Sequence, residues 1–162
     1  MSEIILDIET IPNPANSKEK LVIAEAKIER KKGDNKDKNK FYALNPELGK
    51  IVCICLDIDG KEYHFFSQDE GSILKDFWKM LEQNKDFRIV TFNGKQFDIP
   101  YIIKRSILNG VVASQILNTK KYEMYKHFDV FEVLTNFSSF NNAFKKHTGI
   151  TPKEFKKRTS PV

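Results

Sequence analysis

Asp7 and Glu9 stand two residues apart at the end of the apolar run Glu3-Ile4-Ile5-Leu6-Asp7-Ile8-Glu9. A strand places alternate side chains on one face, so both carboxylates project together, and crowded acids are costly unless a cation neutralises them. Hard oxygen donors suit Mg²⁺ or Mn²⁺. Taken alone, the pair reads first as two solvated acids at a strand end. A further acid, Asp98, lies in Phe92-Asn93-Gly94-Lys95-Gln96-Phe97-Asp98-Ile99-Pro100, where it opens a helix just after a strand. There it can serve as an N-cap or dipole partner. The carboxyl ends of parallel strands also gather ligands, and an acid delivered there from a neighbouring strand could complete a metal cluster with Asp7 and Glu9.

The elements that must position these acids follow from apolar periodicity. The opening run is a buried strand broken by Thr10-Ile11-Pro12-Asn13-Pro14, and Ser17 can cap a helix reaching about Lys32, followed by a polar, basic loop over residues 30–42. Ile51 to Ile58 and Glu62 to Phe66 flank Asp59-Gly60, the turn dipeptide of a tight hairpin. Ile73, Leu74, Phe77, Trp78 and Leu81 form a helical stripe. Arg88 to Phe92 reads as a fourth strand, Ile99 to Ile107 as a helix with Pro100 in its first turn, and His127 to Leu134 as a fifth strand. Phe140 to His147 and Thr151 to Lys157 are expected to be short helices. Strands that alternate with helices around one hairpin predict an α/β domain with a mixed five-stranded sheet.

A chain of 162 residues with 40% hydrophobic and 30% charged residues suits one soluble domain and excludes collagen-like or low-complexity classes. No stretch approaches the ~20 apolar residues that span a bilayer, and acids stand where a signal peptide carries basic residues, so the expectation is cytoplasmic with no membrane partner. The net charge of +5 is peripheral: residues 18–40 and 137–162 carry surpluses of +4 and +5, while the rest sums to −4. Such segments hint at a polyanionic partner and also suit plain solvation. Cys53 and Cys55 fall on one face of the second strand, too cramped for a regular disulfide, and are expected to be buried reduced thiols.

Leu6-Asp7-Ile8-Glu9-Thr10-Ile11-Pro12 together with Val90-Thr91-Phe92-Asn93-Gly94-Lys95-Gln96-Phe97-Asp98-Ile99-Pro100 resembles the first two exonuclease motifs of the DEDD superfamily with the ribonuclease H-like fold. The run Ala43 to Ile54 and His127-Phe128-Asp129-Val130 narrow the resemblance to predicted 3′-5′ exonucleases related to the exonuclease domain of family-B DNA polymerases, over residues 3–134. The resemblance implies phosphodiester hydrolysis with two Mg²⁺ or Mn²⁺ ions: Asp7 would bridge them, Glu9 would hold the water-activating ion, and Asp98 would help position the other. It also places Thr10 and Ile11 against the terminal nucleotide and Asn93 and Phe97 along the strand path, with core packing an equal reading for Phe97. The implied partner is DNA with a single-stranded 3′ end, RNA being the other polymer this chemistry allows.

The superfamily also needs an acid on a helix downstream of the last strand, and the sequence offers none there. Asp129 matches the Tyr-x-x-x-Asp spacing from Tyr125, but it lies on the expected fifth strand, so it enters the catalytic set only as a substitute. The tail from Phe137 to Arg158 is similar instead to the end of an AraC/XylS-type DNA-binding domain, covering its second recognition helix and final helix. In that reading Lys145 and Lys146 contact nucleic acid; otherwise they are solvated on a basic helical tail spanning 135–162. The two functional expectations are therefore an impaired metal-dependent exonuclease and a non-catalytic nucleic-acid-binding or regulatory protein that uses the tail.

Overall fold

The computed structural model describes residues 1–15, 38–135 and 139–159. Its element order is β1 (Ser2–Pro12), α1 (Lys38–Ala43), β2 (Gly49–Ile58), β3 (Lys61–Phe66), α2 (Glu70–Gln83), β4 (Phe87–Thr91), α3 (Asp98–Leu108), β5 (His127–Asp129), α4 (Val130–Thr135), α5 (Phe140–Thr148) and α6 (Pro152–Thr159). The five strands form one mixed sheet in the order β3-β2-β1-β4-β5. The hairpin strands pair antiparallel with each other and with β1, whereas β4 joins β1, and β5 joins β4, in parallel. The α/β architecture is therefore the one expected.

Strict alternation in β1 divides the sheet. Ile4, Leu6 and Ile8 are buried, and Glu3, Ile5, Asp7 and Glu9 point to the opposite, exposed face. Against the buried face pack α2, through Ile73, Leu74, Phe77, Trp78 and Leu81, and α3, through Ile99, Tyr101 and Ile102. Each fully buried side chain of this size stabilises the fold by roughly 1.5–3 kcal/mol relative to exposure. Helix α2 starts where Asp69 accepts the Gly71 N–H at 3.1 Å and ends at Asn84, after which the chain re-enters the sheet.

A buried ion pair stitches the helices to the sheet. Arg105 of α3 donates through Nε and Nη2 to the two Glu70 oxygens at 2.9 and 2.5 Å. Glu70 also accepts the Ile51 N–H at 2.7 Å and the Asn109 amide at 2.9 Å, and Arg105 reaches the Pro46 carbonyl at 3.1 Å. Four segments thus meet on one carboxylate-guanidinium pair, a bidentate arrangement specific in geometry as well as charge.

Three expectations are corrected. Of the segment read as a basic loop, residues 30–37 lie outside the described residues, as does the helix expected from Ser17 to Lys32, but 38–42 are helical, with Tyr42 buried. The fifth strand ends at Asp129 rather than Leu134, because Asp129 accepts the Phe131 N–H at 3.0 Å and turns the chain into α4. Asp129 with Glu132 three residues on is a helix-start signature that the β-branched run concealed. The cysteines are half-buried on the open sheet face rather than buried, both free, with their Sγ atoms 3.4 Å apart.

Candidate active site

The open face of β1 presents Asp7 opposite Cys55 and Glu9 opposite Cys53, and a register shift follows between Glu9 and Thr10. Such a bulge re-aims the strand end. Strand β4 pairs with β1 only from Ser2 to Ile5, so beyond Ile5 that edge of β1 is left to other partners. Asp98 takes up the position. It sits in the first turn of α3, is 4% exposed, and has the Ile8 main-chain N–H as a hydrogen-bond donor to its carboxyl. The cap position itself belongs to Phe97, which makes no side-chain cap bond, so Asp98 is a buried first-turn acid.

Burial pushes the Asp98 carboxyl up to about 6, and the charges of Asp7 and Asp129 push the same way against the favourable main-chain N–H groups. Asp7 and Asp98, separated by most of the domain in sequence, are therefore brought within electrostatic reach. A carboxyl held near neutrality beside a second acid is the arrangement that a hard cation relieves. Among the described residues, however, no three His, Cys, Asp or Glu side chains converge closely enough to hold an ion. Glu9 shares the strand face with Asp7 without completing such a group. The carboxylates of Asp7 and Asp98 are oxygen donors of the kind that Mg²⁺ or Mn²⁺ takes, while the Cys55 and Cys53 thiols stand opposite Asp7 and Glu9 on the same face.

Asp129 is 1% exposed and has its oxygens engaged: Oδ1 accepts the N–H groups of Asn93 at 2.7 Å and Phe131 at 3.0 Å, and Oδ2 accepts that of Lys95 at 3.0 Å. It holds the loop before α3 in place. Asn93 is half-buried in the left-handed region at φ 66°, a conformation that asparagine tolerates. Gly94 is required by space, since a Cβ there would meet Thr91 side-chain atoms at 2.4–2.5 Å.

Behind the loop lies a buried polar chain. The Thr91 hydroxyl accepts the Gly94 N–H at 3.1 Å and pairs with His127 Nε2 at 2.8 Å, while His127 Nδ1 faces the Asn118 carbonyl at 2.7 Å. A carbonyl only accepts, so Nδ1 carries the proton and Nε2 receives the Thr91 hydroxyl. Lys95 Nζ donates to Glu132 at 2.7 Å and to the Glu123 carbonyl at 2.8 Å, both side chains being almost fully buried. Lys95 and Glu132 do not show as a pair in sequence: Lys95 lies in a polar turn, and only Glu132, between Phe131 and Val133, stands out as a charge among apolar residues.

The remaining expected site residues are dispersed. Thr10 is half-buried and Ile11 is 40% exposed at the end of β1. Phe97 packs against the core with its ring 5.4 Å from Tyr101, as the core reading of that residue had it. Lys145 and Lys146 are exposed on α5. An aromatic chain ties that tail to the end of β4, from Phe92 to Phe140 at 6.5 Å, Phe140 to Phe144 at 5.7 Å and Phe144 to Phe155 at 5.6 Å. The expected capping box is present, with Glu154 accepting the Thr151 N–H at 2.6 Å.

The model of predicted 3′-5′ exonucleases related to the exonuclease domain of PolB matches residues 47–149, well over half of the chain. The chain belongs to this family. The matched stretch contains Asp98, Asp129 and the loop that Asp129 holds, whereas Asp7 and Glu9 precede it. No curated protein matches the chain. Among solved structures, the family B DNA polymerase from the hyperthermophilic archaeon Pyrobaculum calidifontis is similar over 95% of this chain, with a TM-score of 0.55 and 16% identity. At that identity the likeness speaks for the fold alone, an α/β fold of the ribonuclease H-like class with a mixed five-stranded sheet. This chain spans 19% of the polymerase's length.

Proposed function

We propose that this PolB-related chain hydrolyses phosphodiester bonds at the 3′ end of a nucleic acid, single-stranded DNA in the first instance, in a reaction that depends on Mg²⁺ or Mn²⁺. The observation that carries the reading is the pairing of Asp7 with Asp98, whose carboxyl is raised to about 6 by burial and by its acidic neighbours. Asp7, Glu9 and Asp98 would hold the cations, which when bound make water a usable nucleophile near neutral pH and stabilise the attacking and leaving oxygens. Ile11 offers an exposed apolar surface to the terminal nucleotide, and the Asn93 loop is a fixed wall beside the acids.

Turnover is slow in this reading. Asp129 is buried and accepts three main-chain N–H groups, so it is a positioning residue for the loop rather than a replacement for the missing acid. A site with few carboxylates holds Mg²⁺ weakly, because that ion dehydrates reluctantly. Cleavage of a 5′-labelled single-stranded DNA, followed with Mn²⁺ and with EDTA, tests the proposal. Slow shortening from the 3′ end that needs Mn²⁺ and disappears in Asp7→Asn and Asp98→Asn supports it. Metal-independent cleavage, or cleavage unchanged in both variants, removes the assignment. DNA retention without any cleavage would favour the binding-protein reading, for which the exposed Lys145 and Lys146 are the observation.

A further inference from the structure

At the opposite end of β4 from Asp98 lies a cavity of about 550 Å³. It is lined by Phe87 and Ile89, so about 13 Å of strand separates its first residue from Thr91, where the acid site begins. Its floor is apolar: Phe87, Ile89 and Leu117 belong to the main core and are each less than a tenth exposed. Its other walls carry three ammonium groups, from Lys85, Lys120 and Lys126, and no carboxylate. Two acids stand beside the lining: Asp86 is engaged by Lys126 at 3.2 Å and by the N-terminal ammonium at 3.6 Å, and Glu123 by the Asn118 side-chain amide.

The wall between floor and lysines is fixed before any ligand arrives. Asn118 is held at three points: its carbonyl by His127 at 2.7 Å, its side-chain oxygen by the Lys120 N–H at 2.8 Å, and its side-chain amide by Glu123. Ser114 donates to the Trp78 carbonyl at 2.8 Å, and Gln115 to that of Leu81. Preorganised walls reduce the ordering cost of binding. The volume lies within the usual range for small-molecule sites of roughly 300–1,000 Å³.

We propose that this cavity is a second binding site for a nucleotide phosphate, separate from the acid cluster and independent of divalent metal. Lysines are point-charge phosphate binders, and a phosphate monoester carries about −1.5 to −2 charges at pH 7. Lys85 and Lys120 bring two ammoniums to the lining beside Lys126, whose charge is shared with Asp86, and the floor of Phe87, Ile89 and Leu117 gives the flat apolar base a surface that a free inorganic anion would not use. The ligand is either a free mononucleotide or a nucleotide unit within a strand. The inference goes beyond the proposed hydrolysis and does not rest on it.

Equilibrium dialysis with labelled 5′-dAMP in EDTA tests it, because chelation silences the acid cluster. The expected result is saturable binding that persists in Asp98→Asn, falls with added salt, and is about tenfold or more weaker for adenosine, which lacks the phosphate. Lys85→Glu with Lys120→Glu should abolish binding, and the corresponding glutamine pair should weaken it by about tenfold; both sites are exposed, so the melting temperature should hold. Competition separates the two sources: displacement of dAMP by an eight-residue oligothymidylate places a strand in the cavity, and displacement by mononucleotides alone marks a free-nucleotide site. No saturable binding in EDTA, or binding unchanged by both double variants, would overturn the proposal.

Discussion

Replacing Asp98 by asparagine should stabilise the metal-free protein, and the gain should depend on pH. Burial and the charges of Asp7 and Asp129 carry the Asp98 carboxyl from 3.8 to about 6 on folding. Below about pH 4 it is protonated in both folded and unfolded chains, and its favourable contribution is complete. Between 3.8 and 6 the unfolded chain loses the proton first, so stability falls; above 6 the penalty is full, at about 3 kcal/mol on a scale of about 1.4 kcal/mol per pH unit. Asparagine removes the charge and keeps an acceptor for the Ile8 N–H, whose favourable pull on the carboxylate is already contained in the net shift to about 6. The variant should therefore gain about 3 kcal/mol at pH 8 in EDTA, or about 6–12 °C in melting temperature, and nothing at pH 4. Urea unfolding of both proteins at pH 4, 6 and 8 measures this directly. Adding Mn²⁺ at pH 8 should narrow the gap by stabilising only the wild type. An Asp98→Asn effect that is the same at pH 4 and pH 8, or a variant less stable at pH 8, would refute the account of why this acid is held beside Asp7.

The same substitution at Asp129 should do the reverse: its three main-chain N–H donors lose a charged acceptor, and Asp129→Asn should cost about 2–4 kcal/mol in urea unfolding at pH 7. Gly94→Ala should cost about 1–3 kcal/mol through its clash with the Thr91 Cβ and Oγ1, read as a lower midpoint in urea unfolding. His127 is fully buried and its imidazole is held below the ordinary value, chiefly by burial and also by the Lys95 charge, against the opposing pull of the Asn118 carbonyl, Asp129 and Glu132. Its contribution is thus present above about 6.5 and lost as pH falls through the lowered value; in the Asp98→Asn background, stability that stays flat from pH 7 to pH 5 would contradict this. Glu70→Ala should cost about 3–5 kcal/mol by leaving Arg105 buried and uncompensated, and an unfolding midpoint within error of wild type would show that the pair is not what joins α2 to α3.

Local sequence determined the parts whose physics is local. Alternation in Ile4-Ile5-Leu6-Asp7-Ile8-Glu9 was enough to place both acids on one face, and Asp59-Gly60 was enough to set the hairpin. The Ile73-to-Leu81 stripe specified α2, and Thr151 with Glu154 specified the start of α6. Each of these signals acts across a few residues, through periodicity or a single cap.

Tertiary structure decided what depends on partners distant in the chain. His127-Phe128-Asp129-Val130-Phe131-Glu132 has the apolar content of a strand, yet it breaks at Asp129 because that carboxylate has three N–H groups to satisfy, two of them from residues 93 and 95. The buried pairs Glu70–Arg105 and Lys95–Glu132 join residues 35 and 37 apart, and a charge in a sequence does not disclose its counter-ion. The role of Asp98 followed the same rule: its type and helix-start position were legible, but its closeness to Asp7 came from the early end of the β1–β4 pairing, which left the Ile8 N–H free to draw the carboxyl in. Residue type and period act over one turn or one pleat, whereas electrostatic coupling and burial depend on which segments the sheet order brings side by side.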